Sequence, residues 1–375
     1  MLKILNFIKK HSLIIILLSI LIIYSSYYAK LDNNFVNIGL WFYDRGDYNK
    51  ATFFYNLASL FNSRNLHAYI CRGVVFESKG NYKQALINYA KAIEINPRFA
   101  LTYYNRGIVY EKQGNLSQAI VEYSKAIQIN PKYVMAYYNR GNVYRESKKY
   151  DLALADFTKS VEINPKFAMG YLNRGVLYQD LGNLERSLSD LNKAIDNNQN
   201  LAKGYYNRGL AYYKLVKYDL AIPDFSTAIR LDPKYYYAYY GRGITYFQKG
   251  AYDFALADFK ITVELKNNYA DAYRMLGEAY QRINNNNLAI YNFCKAIDLS
   301  PLNADVYLLR GRSYYNVKLF KQCLSDLRMF QSLKKYISDD FVKFINNLEK
   351  YLEEEQLYGV HATDSQPAVF TEPEN

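Results

Sequence analysis

Chemistry needs particular residue types brought together, and in this chain most of the usual ones are scattered. The histidines, His11, His67 and His361, lie far apart, and Cys71, Cys294 and Cys323 show neither CxxC nor any other ligand spacing. The sequence contains no phosphate-binding glycine loop, no GxSxG and no HExxH. An active site requires a constellation, and none is visible, so no enzyme activity, cofactor or metal is expected. An odd number of dispersed cysteines gives no disulfide framework, and small buried hydrophobes is the simpler reading of them.

Two polar series do recur. Arginine stands at 72, 106, 140, 174, 208, 242 and 310. One chemistry for such a series is a basic ladder for phosphates. The other is an internal ion pair, because sixteen residues further on stand Asn88, Glu122, Asp156, Asp190, Asp224, Asp258 and Asp326. Where the arginine is replaced by Ile38 or Leu276, the partner position holds Phe54 or Asn292. Arginine and acid come and go together, which predicts a salt bridge across a helical hairpin and removes the main argument for nucleic-acid binding. Directly before four of the arginines stand Asn105, Asn139, Asn173 and Asn207. An amide side chain both donates and accepts, so a row of them reads any peptide bond without regard to sequence. The alternative is that these amides only cap or solvate a wall.

What must position these residues is a repeat. Glycine occurs at 39, 73, 107, 141, 175, 209, 243, 277 and 311, always 34 residues apart. YNRG appears at 104–107, 138–141 and 206–209, and prolines 97, 131, 165, 233 and 301 keep the same register. Within residues 100–133, large apolar residues recur at three- and four-residue steps, which predicts an amphipathic helix. Gly114-Asn115 stops it, a second helix carries Ile120, Tyr123 and Ile127, and Pro131 ends that one. Pro223, inside a second helix, is expected to kink it or shorten its start.

The pattern resembles the tetratricopeptide repeat (TPR) family, whose consensus spacing is matched by Tyr103, Gly107, Tyr110, Ala119, Tyr123, Ala126 and Pro131. The resemblance implies an all-α fold, a right-handed superhelical solenoid of helix-turn-helix hairpins, with nine repeats over residues 32–337. It also implies a concave groove lined by the first helix of each hairpin. The asparagine row is similar to the asparagine ladder of the O-linked N-acetylglucosamine transferases, where amides hold an extended peptide backbone. The implied peptide-binding residues are Asn105, Asn139, Asn173, Asn207, Tyr104, Tyr138, Tyr206 and Asn142, over 100–210. Leu172, Tyr240, Arg145, Lys203 and Lys214 are their neighbours, a mixture suited to extended or acidic peptides. The carboxylate clamp of co-chaperones is not expected, because Tyr138 stands where that clamp needs lysine.

The ends differ from the middle. Phe341, Phe344, Ile345, Leu348 and Leu352 form an apolar stripe, read as a capping helix at 338–356, and 357–375 reads as a disordered acidic tail. From Leu352 onward there are six acids and no Lys or Arg, so returning them to the net charge of +12 leaves about +18 on residues 1–351. That balance favours acidic neighbours: proteins, anionic lipid or nucleic acid.

Residues 1–30 carry Lys3, Lys9 and Lys10 before an apolar run at 13–29. Seventeen residues reach roughly 25 Å as a helix, just short of a bilayer core. A signal anchor, a cleaved signal peptide and a buried helix remain open. Tyr24, Tyr27 and Tyr28 suit an interfacial belt, and the lysines place the N-terminus in the cytoplasm and the repeats across the membrane. The expected function is a membrane-anchored scaffold binding extended segments of partner proteins. The rivals are a structural subunit of an envelope or secretion assembly, an exported adaptor, and an electrostatic binder of nucleic acid or lipid.

Overall fold

The computed structural model describes residues 31–334, 337–358 and 370, and all regular structure among them is helical. The apolar segment 13–29 and the topology read from it lie outside the described residues, as does most of the tail. Among the described helices none is long and apolar enough to cross a membrane.

Helices alternate in length and pair as hairpins. The first three pairs are α1 (residues 31–44) with α2 (Tyr48–Phe61), α3 (Leu66–Ser78) with α4 (Tyr82–Ile95), and α5 (Ala100–Lys112) with α6 (Leu116–Ile129). Next come α7 (Val134–Glu146), α8 (Tyr150–Ile163), α9 (Ala168–Asp180), α10 (Leu184–Asn197), α11 (Ala202–Lys214) and α12 (Tyr218–Leu231). The series ends with α13 (Tyr236–Gln248), α14 (Tyr252–Leu265), α15 (Ala270–Arg282), α16 (Asn286–Leu299), α17 (Ala304–Asn316), α18 (Phe320–Leu333) and a final α19 (Asp339–Tyr358). The chain divides into two compact units, Met1–Leu177 and Tyr178–Asn375.

One hairpin shows why these residues fold this way. After α5, Gly114 adopts φ +74°, the left-handed turn that stops a helix. Asn115 then caps α6, its side chain accepting from the Gln118 N–H at 3.1 Å. At the far end Asn130 leaves the helix in an extended conformation, and its side chain accepts from the Lys132 N–H at 3.0 Å. That Asx turn carries the chain past Pro131 into the next hairpin. Between the two helices, Gly107 lies under the ring of Tyr123, where a Cβ would stand 2.6 Å from a ring carbon. The ring is fully buried and its hydroxyl donates to Glu111 at 2.5 Å. In unit 2 the equivalent contact sets Gly277 against Phe293, with 2.5 Å left for a Cβ.

Each hairpin's core is completed by the next one. Ile70, Ala85, Tyr89 and Ala92 cluster with Val109 of the following hairpin, and one unit 2 cluster runs from Phe247 to Val306. Within a unit, first helices of successive hairpins also touch one another, as α3 does α5 and α13 does α11 and α15. Phe341, Phe344, Ile345 and Leu348 of α19 cover Cys323, Leu327 and Phe330 of α18. In the first hairpin Phe54 stacks on Phe42 at 5.4 Å, an aromatic contact where other hairpins carry the ion pair.

Two details depart from the sequence reading. Of the two effects expected of Pro223, a kink or a shortened start, the shortening does not occur, since α12 keeps the 14 residues of its counterparts. The proline lies early enough that only the Asp219 carbonyl loses its helical donor, and Leu220 N–H tightens the first turn by bonding Lys217 O at 3.1 Å. The second concerns the left-handed stop. It recurs at Lys148, Val216, Asn284 and Lys318, with φ 58–62°, where no glycine is present. Val216 is the costly one, because a β-branched side chain crowds the backbone there.

Val216 is 67% exposed, so Val216→Gly relieves that strain without opening a cavity. It is expected to raise the unfolding free energy by about 1 kcal/mol. Gly277→Ala, which pushes a methyl into the Phe293 ring, is expected to lower it by roughly 1–3 kcal/mol. Urea unfolding followed by circular dichroism measures both, and equal midpoints for the two variants would contradict this assignment of strain and packing.

Candidate functional site

The arginine series is engaged inside the protein. Arg106 meets Glu122 through two hydrogen bonds of 2.9 and 2.8 Å, and Arg140 meets Asp156 through two of 2.8 Å. In unit 2, Arg208 pairs with Asp224, Arg242 with Asp258 and Arg310 with Asp326, each bidentate at 2.7–2.8 Å. Arg72 donates to Asn88 at 2.6 Å. The acids are buried, and burial pushes the Asp156, Asp258 and Asp326 carboxyls above their ordinary range against the pull of the guanidinium. Such pairs leave no array of free guanidinium groups for phosphates.

The same arginines reach further than the sequence pattern suggested. A third nitrogen points back to the preceding hairpin, sixteen residues upstream. Arg140 donates to Ser124 at 2.8 Å, Arg174 to Thr158 at 3.0 Å, Arg208 to Asn192 at 2.8 Å and Arg242 to Ser226 at 2.9 Å. Arg310 uses Cys294 Sγ at 3.2 Å, so this cysteine is an acceptor rather than only a small hydrophobe. Each guanidinium also lies 4.9–5.9 Å from the ring of the tyrosine three residues before it, from Tyr69 to Tyr307. The polar residue at minus sixteen was a readable signal for this second contact.

The asparagines behave differently from one another. In unit 1, Asn139 donates to the Tyr104 hydroxyl at 3.1 Å, one hairpin earlier. Asn173 repeats that bond to Tyr138 at 3.0 Å and adds a second to Asn142 Oδ1 at 2.7 Å. These five side chains form one half-buried polar strip on the first-helix face of unit 1. Asn105 belongs to the same register but is buried, only 8% exposed. In unit 2, Asn207 turns its amide onto its own helix, donating to Lys203 O at 2.7 Å. The unit 1 strip therefore holds Asn139, Asn173, Asn142, Tyr104 and Tyr138.

Aromatic rings back this face at a fixed interval. Tyr104 packs on Tyr133 at 5.0 Å, Tyr138 on Phe167 at 5.2 Å, Tyr206 on Tyr235 at 5.0 Å and Tyr240 on Tyr269 at 4.9 Å. Tyr236 and Tyr237 join the last two pairs in unit 2, so six tyrosines form one continuous wall. Sequence reasoning selected Tyr206 and Tyr240 and missed the others, although the spacing of 29 residues and the run Tyr235-Tyr236-Tyr237 were visible. Burial raises the phenol of Tyr104, opposed by the Asn139 hydrogen bond, and raises those of Tyr206, Tyr235 and Tyr240. Tyr269 is pushed up to about 12 by burial. The wall is thus neutral near pH 7, with apolar faces and hydroxyl tips.

Residues 75–114 and 112–146 match a family model described as TPR repeat. Residues 134–167 and 202–235, and residues 170–201 and 270–301, match models described as tetratricopeptide repeat. Together these matches span more than half of the chain. No curated protein matches it. Among solved structures it is similar to YrrB, described as a TPR protein with an unusual peptide-binding site, at 26% identity over 48% of this chain and 92% of that one, TM-score 0.41. PilW, described as a widely conserved type IV pilus biogenesis factor, is 19% identical over 54% of this chain and 94% of that one, TM-score 0.51. A chain of the APC/C hetero-tetramer Cut9-Hcn1 is 16% identical over 80% of this chain and 59% of that one, TM-score 0.53. The last two share the fold.

The chain contains its own replacement for an ion pair, Leu276 with Asn292, whose amide bonds back to Leu288 O at 2.7 Å. Arg242→Leu alone leaves the buried Asp258 unpaired and is expected to cost ~3–5 kcal/mol in urea unfolding. Adding Asp258→Asn to that variant is expected to restore most of the loss. If the double variant is as unstable as the single one, the pair is not the unit that matters.

Proposed function

The chain belongs to the tetratricopeptide repeat family, and from that premise we propose that it is a membrane-tethered scaffold holding extended peptide segments of partner proteins along its first-helix face. TPR proteins are typically scaffolds without catalysis of their own. The observation that carries the peptide reading is the unit 1 strip, in which Asn139 and Asn173 each spend amide hydrogens on a tyrosine hydroxyl. No hydrogen bond to their amide oxygens is found among the described residues, and in this reading those oxygens are the acceptors for a ligand's peptide N–H groups. A strip of neutral amides and phenols reads backbone rather than sequence. Unit 2 has a tyrosine wall of its own, which offers apolar area for a partner's side chains. Lys203 and Arg145 beside these faces bias the choice toward acidic segments.

Tethering rests on the apolar run 13–29 and its flanking lysines. The first hairpin adds support, since Trp41, Phe53 and Leu60 there are 50%, 56% and 78% exposed, close in sequence to that run. The same exposed group favours a second reading, a structural subunit that packs its N-terminal hairpin on another envelope protein. The two readings use different surfaces.

Fluorescence anisotropy with an extended acidic peptide separates them. A backbone-reading face binds a scrambled peptide about as well as the parent and loses an N-methylated one. Asn139→Ala with Asn173→Ala is expected to weaken binding roughly 10-fold or more, given about 0.5–1.5 kcal/mol per hydrogen bond. Unchanged affinity in the double variant would sink the amide reading and leave the assembly reading standing. Fractionation of the full-length chain tests the tether, which is contradicted if the intact chain is recovered apart from membranes. Protease added to each side of sealed membranes tests the topology, which is contradicted if the repeats are cut only from the cytoplasmic side.

A further inference from the structure

Past Tyr358 one residue is described, Phe370, and it is packed against the protein rather than set apart from it. Its ring lies 5.6 Å from Tyr315 and 5.3 Å from Phe344. Tyr315 is on α17, the first helix of the last hairpin, and Phe344 is on α19. The ring forms one edge of a depression of about 550 Å³ whose other walls include Gln281, Arg282, Arg312 and Asn316. These four sit on α15 and α17, so the depression opens on the first-helix face at the C-terminal end of unit 2. Gln281 is fixed in place by donating to Leu309 O at 2.7 Å and Ser313 Oγ at 2.6 Å. The depression is therefore lined by the Tyr315 and Phe370 rings, by amides and by two guanidinium groups.

We propose that the apolar surface of Tyr315 and Phe344, together with the depression beside it, is a docking site for an acidic peptide with an aromatic anchor, and that Phe370 of the chain's own C-terminal segment is its resident anchor. The charges match. Glu372 and Glu374 follow Phe370 within four residues, the stretch from Leu352 onward has no Lys or Arg, and the rim presents Arg282 and Arg312. Phe370 supplies the apolar anchor that Tyr315 and Phe344 accept. A tethered segment competes at an effective concentration in the millimolar range, so an external ligand of the same chemistry reaches the site only by displacing it. The tail is then a built-in competitor that sets the affinity threshold for partners at this end of the protein. This site is built from unit 2 residues and does not depend on Asn139 or Asn173.

A labelled synthetic peptide of residues 364–375, titrated into the full-length chain, tests this by fluorescence anisotropy. Phe370→Ala in the chain uncovers the Tyr315 and Phe344 surface and is expected to tighten binding of the peptide at least 10-fold over the wild type. Adding Arg312→Glu to Phe370→Ala is expected to abolish that gain, while adding Asn139→Ala and Asn173→Ala leaves it intact. A peptide with alanine at the Phe370 position should not bind. Equal binding by wild type and Phe370→Ala, or no binding by either, overturns the proposal, as does a gain that survives Arg312→Glu. Matching thermal melts for the Phe370→Ala chain and the wild type show that the substitution leaves the repeats folded.

Discussion

The arginine that stands before seven of the nine periodic glycines ties neighbouring hairpins together, because one planar group with several donors can reach two hairpins at once. Its fork meets an acid sixteen residues ahead on the second helix of its own hairpin, as Arg242 meets Asp258. Its remaining nitrogen meets a polar side chain sixteen residues behind, as Arg242 meets Ser226. A lysine has one charged point and no fork, so it would satisfy one hairpin and leave the other. The tyrosine ring three residues before the arginine lies within cation–π range of the same guanidinium. A single hairpin cannot bury its own apolar face, and this bridge is one of the means by which neighbours are held in register.

That arrangement decides what the first-helix face is free to do. With the guanidinium groups committed inward, the residues beside them on the same helices are left to meet solvent or a partner. Those residues are asparagines and tyrosines in unit 1 and chiefly tyrosines in unit 2. Neither type carries charge near neutral pH, and burial raises the phenols further from ionisation. Selectivity on such a face comes from shape, apolar contact and hydrogen bonding to backbone. At the C-terminal end the chemistry changes, since Arg282 and Arg312 stand at the depression edged by Phe370.

Much of this was legible before any coordinates. The 34-residue glycine register fixed the hairpins, because a Cβ at Gly107 or Gly277 collides with a ring from the paired helix. The matching of arginine and acid predicted the ion pairs, and five of them are bidentate. The upstream arm of the arginine was not foreseen, since Asn, Ser, Thr and Cys in its acceptor position share hydrogen-bonding capacity rather than identity. The candidate amides were legible as a series but not as individuals. Asn105 is buried, and Asn207 bonds its own backbone, which depends on packing that a periodic pattern does not encode. Tolerance of Pro223 and of Val216 at positive φ likewise reflects position within a turn.

The central claim is that partners lie on the first helices and not on the second. Site-specific fluorotyrosine in the full-length chain, once at Tyr138 and once at Tyr291, tests it by ¹⁹F NMR. Tyr138 belongs to the unit 1 strip, and Tyr291 is a 58% exposed residue on a second helix. Saturating extended peptide is predicted to shift the Tyr138 resonance and leave that of Tyr291 unmoved. A shift at Tyr291 with none at Tyr138 would contradict the account.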